Sequence, residues 1–385
     1  MATAIPYGKQ HITEADIKAV TEVLRADYLT TGPKVDAFEQ KFADYVGARY
    51  AIALSNGTAA LHLCALALGV NQKSKVITTP ITFAASANCV RYCGGEIDFC
   101  DIAPDTLTLD IEQVRKKLEA APAGTYQGII PVDFAGYPVD LEQYRALADE
   151  FNLWIIEDAC HAPGGYFTDT HGKQQNCGNG AFADLAIFSF HPVKHIACGE
   201  GGMVTTNDEE LYHKIKQLRT HGMVYQGDER LQENHGRWYM ELQELGYNYR
   251  IPDILCALGI SQLDRAEAGI QRRRAIAQKY DEAFRNTQIG IHQPAQGIGH
   301  AYHLYVIEVD NRKELYDALR SQGIYAQVHY VPLHTMPYYQ QYGFKKGDFP
   351  VAEAYYKRGL SLPMYPTLTE EEQDYVIEQV KAIAG

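Results

Sequence analysis

Residues 185–206 read LAIFSFHPVKHIACGEGGMVTT and contain two short apolar runs, Leu185–Phe190 and Met203–Thr206, on either side of a polar loop. Both runs are continuous rather than alternating, which is typical of strands that are covered on both faces. The loop between them carries Lys194 and a cluster of glycines. Since ligands of open α/β sheets bind beyond the carboxyl ends of the strands, this loop is a candidate binding region.

Further apolar runs precede this stretch, and helical patterns separate several of them. The apolar runs are Tyr50–Leu54, Val76–Thr79, Ile97–Ile102, Ile129–Phe134 and Trp154–Glu157. The helical patterns are a helix that begins near Thr13, Val35–Tyr45, Thr58–Leu68, Ile111–Glu119 and Leu141–Glu150. Alternation of strands and helices predicts a mainly parallel sheet in an α/β domain.

The character of the sequence changes after about Leu245. The elements predicted beyond it are helices at Pro252–Ala266, Ala268–Asn286 and Lys313–Gln322, strands at Tyr302–Val309 and Ala326–Tyr330, and a last helix that begins at Thr369. Glu372, three residues after Thr369, completes a capping box. We therefore predict a large domain at residues 1–245 and a smaller α+β domain at residues 246–385.

Composition restricts the classes of function. The chain has 385 residues and a formal net charge of −13, which argues against a nucleic-acid-binding surface. No apolar run approaches membrane-spanning length, and the N-terminus lacks the charged-then-apolar order of a signal peptide. The eight cysteines form no CxxC pair, which predicts reduced thiols in a cytoplasmic protein. A zinc site at Cys89, Cys93 or Cys160 with His161 is the alternative, and its spacing matches no finger or ribbon.

The segment SNGTAAL, residues 55–61, lies between a predicted strand and a predicted helix. Its small residues allow close approach of the backbone, and the first free N–H groups of the helix would point at an anion. Gly57 and Thr58 would therefore suit a single phosphate, although the segment matches neither the dinucleotide nor the P-loop pattern. An ordinary helix cap explains the same residues equally well.

Two further segments place charged groups just beyond predicted strands. Asp158 ends the buried run WIIED, where a carboxylate needs a partner. That partner is either a protonated pyridine nitrogen of a cofactor or a group on a neighbouring helix. Lys194 follows the run FSF, where desolvation favours the neutral amine that bonds an aldehyde, and Ser189 is placed to bond a phosphate. A solvated loop lysine is the alternative.

In combination these segments are more specific than each one alone. A phosphate cradle, a carboxylate at a strand end and a serine–lysine pair are the parts that bind pyridoxal 5'-phosphate (PLP) at three points. The glycine-rich turn of nicotinamide enzymes is absent from the sequence, and so is a nucleophile elbow with a Ser-His-Asp set. The residues therefore favour PLP chemistry.

Ordered blocks along nearly the whole chain resemble the DegT/DnrJ/EryC1/StrS family of sugar aminotransferases. The blocks are LTTGPKVDAFE, SNGTAAL, TTPITFAASAN, EDACHAPGG, FSFHPVKHIACGEGGM, LGYNYRIPDILCALGISQL, HLYVI and VHYVPLH. The resemblance implies the aspartate-aminotransferase (type I PLP) fold, with a seven-stranded sheet in which the strand after the lysine runs antiparallel. It also implies PLP that cycles through pyridoxamine 5'-phosphate, L-glutamate as amino donor, a nucleotide-linked keto sugar as acceptor, and a homodimer with shared active sites.

The resemblance further implies roles for individual residues. Lys194 would bind the cofactor covalently and shuttle the proton between substrate and cofactor, and Asp158 would pair with the ring nitrogen. Phe83 would stack on the ring, with an ordinary core aromatic as the alternative. The remaining implied cofactor contacts are Gly57, Thr58 and Ser189 at the phosphate, His161 near the O3' edge of the ring, and Asn248 at the phosphate of the neighbouring subunit.

The implied substrate contacts are Thr31, Gly32, Arg250, His329 and Tyr330. A salt bridge within the second domain is the alternative for Arg250, and a strand-end histidine without a role is the alternative for His329. The loop Met223–Tyr239 either covers the site or is a plain surface loop. Its polar and aromatic members include Asp228, Arg230, His235 and Trp238.

Lysine at position 194 distinguishes this chain from sugar dehydratases of the family, which have histidine there, so the resemblance implies amino transfer. The segments IPYGKQHITEADIKAV, FSFHPVKHI and GYNYRIPDILCALGISQLDR resemble the branch that aminates C4 of UDP-linked 4-keto-6-deoxy-N-acetylhexosamines on the way to pseudaminic acid. Three alternatives stay open: another PLP enzyme on this fold, a non-catalytic sugar-nucleotide binder, and an aminotransferase for a 3-keto sugar or a TDP- or GDP-linked one.

Overall fold

The computed structural model describes residues 4–224, 231, 236 and 238–384. Its strands are β1 (Ile5–Pro6), β2 (Tyr50–Leu54), β3 (Lys75–Thr78), β4 (Glu96–Phe99), β5 (Gly128–Ile130), β6 (Trp154–Asp158), β7 (Tyr166–Thr168), β8 (Gln174–Asn176), β9 (Leu185–Ser189), β10 (Gly202–Thr206), β11 (Met223–Val224), β12 (Glu241–Leu242), β13 (Gly290–Ile291), β14 (Tyr305–Glu308), β15 (Ile324–Tyr325) and β16 (Gly359–Leu362). Its helices are α1 (Glu14–Leu24), α2 (Pro33–Val46), α3 (Gly57–Ala67), α4 (Ala85–Tyr92), α5 (Ile111–Ala120), α6 (Leu141–Phe151), α7 (Glu209–Arg219), α8 (Asp253–Leu263), α9 (Ala266–Phe284), α10 (Arg312–Ser321), α11 (Pro337–Gln340), α12 (Pro350–Arg358) and α13 (Glu370–Ala384).

Seven strands form one sheet in the order β2-β10-β9-β6-β5-β3-β4. The pairs from β9 to β4 are parallel, whereas β10 runs antiparallel to both β2 and β9. The predicted seven-stranded α/β sheet, with its antiparallel strand after Lys194, is confirmed. Because β2, β6 and β9 point the same way, the loops that follow them meet at one edge of the sheet.

The central strands are buried on both faces, as their continuous apolar runs predicted. In β9, Ile187 packs into the apolar cluster beside α3 and α4, whereas Ala186 and Phe188 pack on the opposite face against α2. The ring centroids of Phe188 and Phe42, which belongs to α2, are 4.8 Å apart. Two helical layers thus hold β9 and fix the direction of the loop that follows it.

Two predicted strands are shorter than their apolar runs. Strand β5 ends at Ile130, because Pro131 has no N–H group with which to continue the ladder. Strand β4 ends at Phe99, which forms the last pair of its ladder with β3, opposite Thr78. Apolar character continues in both segments because the loops beyond the strands are buried as well.

The strand predicted at Ala326–Tyr330 is wrong. The two residues Ile324–Tyr325 form the strand here, in a parallel pair with β1. Gln327 makes an isolated bridge to Ser361. Beyond it the chain leaves the ladder because His329 and Tyr330 lie in the wall of a cavity.

The C-terminal part of the chain has an apolar core of its own, formed by residues of α9, β14, α10, β16 and α13 together with Ile5. Helix α8 instead packs against α1 and α2, and its Cys256 joins the apolar cluster of Phe38 and Phe42. The division into residues 1–245 and 246–385 stays a prediction. Helix α8, although it follows the predicted boundary, packs with the helices of the large sheet.

Smaller sequence features also have structural counterparts. Thr369 and Glu372 exchange the two hydrogen bonds of a capping box, at 3.0 and 3.1 Å. At the start of α1, the N–H of Thr13 donates to the Asp16 carboxylate at 2.8 Å. All eight cysteines are free thiols. Within the described residues, no helix combines the length and apolar character needed to cross a membrane.

Asp253 joins the beginnings of α8 and α2. Its side chain is fully buried, and its carboxylate accepts hydrogen bonds from the backbone N–H of Gly32 at 2.7 Å and of Lys34 at 2.8 Å. A Cβ atom on Gly32 would lie 2.4 Å from Cβ of Tyr28 and 2.7 Å from Oδ2 of Asp253. Glycine at position 32 is therefore required by packing, whatever else it does.

Asp253→Ala is expected to lower the free energy of unfolding by about 2–4 kcal/mol, because two charge-assisted hydrogen bonds are lost. Thermal unfolding measures the change. The control is Asp264→Ala, which removes an exposed ion pair with Lys41 and should cost less than about 1 kcal/mol. Equal effects of the two substitutions would contradict this account of Asp253.

Candidate active site

A cavity of about 850 Å³ opens at the edge of the sheet where the loops after β2, β6 and β9 meet. This is the position expected for a ligand in an open α/β sheet. The structure brings together in its wall nine of the residues singled out from the sequence: Gly57, Thr58, Phe83, Asp158, His161, Ser189, Lys194, His329 and Tyr330. Residues more than 270 positions apart therefore share one site.

The cradle for an anion forms where β2 gives way to α3. Asn56 is the N-cap of α3, and its side-chain oxygen accepts the N–H of Ala59 at 2.8 Å. A Cβ atom on Gly57 would lie 3.1 Å from Cβ of Ser189 and 3.6 Å from the carbonyl oxygen of Phe188. Glycine thus lets the start of the helix approach the end of β9. The N–H groups of the first helical turn, Thr58 and Ser189 together suit a phosphate.

Asp158 is the last residue of β6, and its side chain is buried. Its carboxylate accepts a hydrogen bond from Ser86 Oγ at 2.6 Å and from the N–H of Cys160 at 3.2 Å. Ser86 in turn bonds Thr82 at 2.8 Å. Neutral donors therefore fix the carboxylate, and no cation of the described residues forms an ion pair with it. A buried carboxylate in that state fits a positively charged partner in the cavity.

Lys194 extends from the loop after β9 into the cavity. Its Nζ lies 3.3 Å from Nε2 of His303. Burial lowers the pKa of Lys194 to about 8, with Arg273 acting in the same direction and Cys160 and Asp158 opposing it. At pH 7 about a tenth of the amine is therefore unprotonated, far more than for an ordinary lysine, and this is the form that attacks a carbonyl and accepts a proton.

His161 is held in one tautomer by its neighbours. Its Nδ1 accepts the N–H of Ala135 at 3.2 Å, which leaves the proton on Nε2, facing the hydroxyl of Tyr330 at 3.3 Å. Burial lowers the pKa of His161 well below its ordinary range. The ring is therefore a neutral donor at the cavity wall.

Phe83 is not part of the core, because 61% of its surface is exposed. Its ring centroid lies 6.4 Å from that of Tyr330, and both residues line the cavity. The alternative of an ordinary core aromatic is wrong. Stacking of Phe83 on a cofactor ring stays a prediction, and an exposed ring in a cavity wall is the geometry that it needs.

Four of the predicted residues lie outside the wall of this cavity. Thr31 is exposed and has a positive φ of 57°, and Gly32 is at the N-cap of α2. Asn248 is exposed and pairs with Thr220. Arg250 is half-buried and forms no ion pair within the described residues, so the salt bridge considered for it is not found. The roles of these four residues stay predictions.

Sequence reasoning missed several residues of the wall, among them Tyr7, His62, Tyr249 and His303, and it also missed Ser86, which bonds Asp158. Ser86 and His303 belong to the blocks TTPITFAASAN and HLYVI, so a signal was present, but neither is near Asp158 or Lys194 in the chain. Of the loop Met223–Tyr239, Asp228, Arg230 and His235 lie outside the described residues. Trp238 is 77% exposed.

The zinc site that was considered from the sequence is not found among the described residues. In the described part of the chain, one group of side chains brings three metal-binding atoms within 4.8 Å of one another, namely Asp133, Glu157 and Cys177. Cys89 Sγ instead donates to the carbonyl oxygen of Ser86 at 3.3 Å. The zinc set considered from the sequence does not converge among these residues.

Fold and site together define a PLP-dependent aminotransferase. The chain belongs to the DegT/DnrJ/EryC1/StrS aminotransferase family, whose model matches residues 10–381. It is 40% identical to the spore coat polysaccharide biosynthesis protein SpsC of Bacillus subtilis, over 98% of this chain and 97% of the relative. It is 37% identical to the UDP-4-amino-4,6-dideoxy-N-acetyl-beta-L-altrosamine transaminase of Campylobacter jejuni, over the same shares of the two chains.

Solved structures agree with this assignment. Spr1654 of Streptococcus pneumoniae superposes in its PMP form with a TM-score of 0.89, at 30% identity and 98% coverage of both chains. Its PLP form superposes with a TM-score of 0.88. The cofactor of this sugar aminotransferase is PLP, and the residues present fit it. Asp158 suits the ring nitrogen, Lys194 the aldehyde carbon, and the start of α3 the phosphate.

The lowered pKa of Lys194 predicts how its reactivity depends on pH. Labelling of Lys194 by an amine reagent, followed by mass spectrometry on the cofactor-free chain, should rise about tenfold per pH unit and level off near pH 8. An ordinary lysine has a pKa of about 10.4. Lys194→Ala identifies the labelled peptide. A rate that keeps rising to pH 10 would show that the amine is solvated.

Proposed function

We propose that this sugar aminotransferase moves an amino group from L-glutamate to C4 of a UDP-linked 4-keto-6-deoxy-N-acetylhexosamine. The observation that carries amino transfer is Lys194, an amine with a lowered pKa in the same cavity as the buried Asp158. The Campylobacter jejuni relative supports the choice of sugar, because its name specifies a UDP-linked 4-amino product. Lysine at position 194 favours amino transfer over dehydration.

A second acceptor deserves a test. The Bacillus subtilis relative is 40% identical, slightly more than the transaminase of Campylobacter jejuni, and its name specifies a polysaccharide but no sugar. Another nucleotide-linked keto sugar, with a 3-keto group or with TDP or GDP, is therefore the alternative acceptor. The chemistry in the cavity would be the same.

The chain's own residues divide the work of the reaction. PLP, when bound, carries the amino group and withdraws electrons from the carbon that loses or gains a proton. The neutral Lys194 amine would accept the proton from the donor carbon and pass it to the cofactor, and in the second half it would move a proton from the cofactor to the sugar carbon. Asp158 balances the positive charge of the cofactor's ring nitrogen. Gly57, Thr58 and Ser189 hold the phosphate, so that the ring keeps its position through both halves of the reaction.

We further propose a homodimer in which Asn248 serves the partner's site. Asn248 lies outside the cavity of its own chain, as does Arg250. Large apolar side chains are exposed near this region, including Leu242 at 62% and Leu245 at 83%. Such a surface is typical of a contact with another protein.

The free thiols support a reducing compartment such as the cytoplasm.

The proposed substrates can be tested by visible absorbance. The purified protein with PLP should be yellow, should lose the band with L-glutamate alone, and should recover it on addition of a UDP-linked 4-keto sugar. Loss of the band without recovery would support L-glutamate as the donor and contradict the proposed sugar. TDP- and GDP-linked keto sugars would then be tested in the same absorbance measurement. No fading with glutamate would reject the donor.

Lys194→Ala should lower the rate of amino transfer by about 10³-fold or more, because one group serves as base and acid in both halves of the reaction. The fold should survive, as judged by thermal unfolding. Lys116→Ala, outside the cavity, is the control. Substantial activity of the Lys194→Ala protein would contradict the mechanism.

The shared site can be tested by mixing two inactive chains. Lys194→Ala and Asn248→Ala chains, mixed and reassembled, should recover about one quarter of wild-type activity. Half of the dimers are mixed, and each of these has one complete site if Asn248 acts across the interface. If Asn248 served its own chain, the mixture would show no more activity than its components.

A further inference from the structure

His303 contacts the reactive lysine from the side of the C-terminal part of the chain. Its side chain is buried, and its Nε2 lies 3.3 Å from Lys194 Nζ. No other hydrogen bond joins the Lys194 amine to a described residue. The contact spans 109 positions of the sequence. Together with the hydrogen bond of His195 Nε2 to the carbonyl oxygen of Ala301 at 2.9 Å, it links the loop after β9 to the segment that leads into β14.

Arg273 of α9 holds the backbone that carries His303. Its guanidinium is buried and donates to the carbonyl oxygens of Tyr302 at 3.0 Å, His303 at 3.4 Å and Met364 at 2.8 Å. The imidazole itself packs on His161, with ring centroids 4.3 Å apart. Backbone and ring are both fixed, so the position of Nε2 is determined without any contribution from the lysine.

The charges around the Lys194 amine are uneven. The groups that face it are Asp158, Cys160, His161, His195, His303, His329 and Arg273. Burial lowers the pKa of all four histidines, so these rings are neutral. Arg273 forms no ion pair with a carboxylate among the described residues. Among the described groups that face the Lys194 amine, Asp158 is thus the only carboxylate, and a neutral acceptor beside the amine is what its protonated form requires.

The tautomer of His303 follows from the states of the lysine. A protonated amine can only donate, so Nε2 must then accept, and the ring proton is on Nδ1. A neutral amine still has two N–H groups, so the same tautomer continues to accept one of them. Nδ1 has no hydrogen-bond partner within the described structure in either case. One unchanged ring therefore serves both states of Lys194.

We propose that His303 is a positioning residue for Lys194: Nε2 accepts an N–H of the lysine amine while the amine is not bonded to the cofactor, and so directs its lone pair into the cavity. Arg273 fixes the segment that carries the ring. The lysine is released and rebonded in every turnover, whichever sugar accepts the amino group. The proposal is therefore independent of the acceptor proposed above.

Two substitutions of similar size test this role. The amide of glutamine reaches about as far as Nε2 of histidine, whereas the amide of asparagine reaches only about as far as Nδ1. His303→Gln should therefore keep the acceptor beside Lys194, and His303→Asn should lose it. His300→Asn is the matched control, because His300 is a buried histidine of the same segment whose Nδ1 accepts the N–H of Tyr302, and asparagine keeps an acceptor at that reach.

The first readout is the pH dependence of Lys194 labelling in the cofactor-free full chain. His303→Asn should shift the midpoint below that of the wild type, since an acceptor for the protonated amine is lost. The second readout is the rate at which added PLP gives the yellow band. We expect His303→Asn to slow it about tenfold, the effect of one hydrogen bond. His303→Gln and His300→Asn should stay within about twofold of the wild type.

A purely structural role would give a different pattern. His303→Asn would then lower thermal stability but leave the labelling midpoint and the rate with PLP unchanged, and that result would overturn the proposal. Equal behaviour of His303→Asn and His303→Gln would overturn it as well. If the asparagine chain does not fold, His303→Leu takes its place in the same comparison with glutamine.

Discussion

The site depends on the close approach of the chain segments at the ends of β2, β9 and β10. Because β10 runs antiparallel between the other two strands, the start of α3 and the loop of Lys194 lie side by side. A Cβ atom on Gly202 would lie 2.4 Å from the carbonyl oxygen of Asn56, and one on Gly57 would lie 3.1 Å from Cβ of Ser189. Glycines at both positions therefore allow one anion to be held by a helix and a strand end together.

The reactivity of the site depends on the burial of its charged groups away from water. Asp158 is buried and is bonded by neutral donors. Burial lowers the pKa of Lys194 to about 8. Arg273 is buried with carbonyl oxygens as its hydrogen-bond partners. Each arrangement is unfavourable for the isolated group. Together they create a site that suits a cationic ring beside Asp158 and that lowers the pH at which the Lys194 amine becomes neutral. The fold supplies the free energy for this through its two apolar layers.

Much of the fold was predictable because burial leaves a local pattern. Continuous apolar runs identified all seven strands of the large sheet, and Gly57 and Lys194 could be placed at strand ends by the general rule for α/β sheets. The failures have local causes, such as Pro131 ending β5. Residues 326–330 were predicted as a strand from their apolar character, but Ala326 and Val328 pack into the C-terminal core and Tyr330 lines the cavity. Contacts such as that of His303 with Lys194 join distant segments, and no local pattern specifies them.

The structure places most of the predicted cofactor contacts in one cavity, together with two of the five predicted substrate contacts, His329 and Tyr330. Apart from Asn248, the groups that we propose to hold PLP and to move protons line this cavity, on loops that follow the strands of the sheet. By contrast, Thr31, Gly32, Asn248 and Arg250 lie outside that cavity, and Gly32 is already required by its packing against Asp253. Residues outside the catalytic cavity can change without disturbing Lys194 or Asp158.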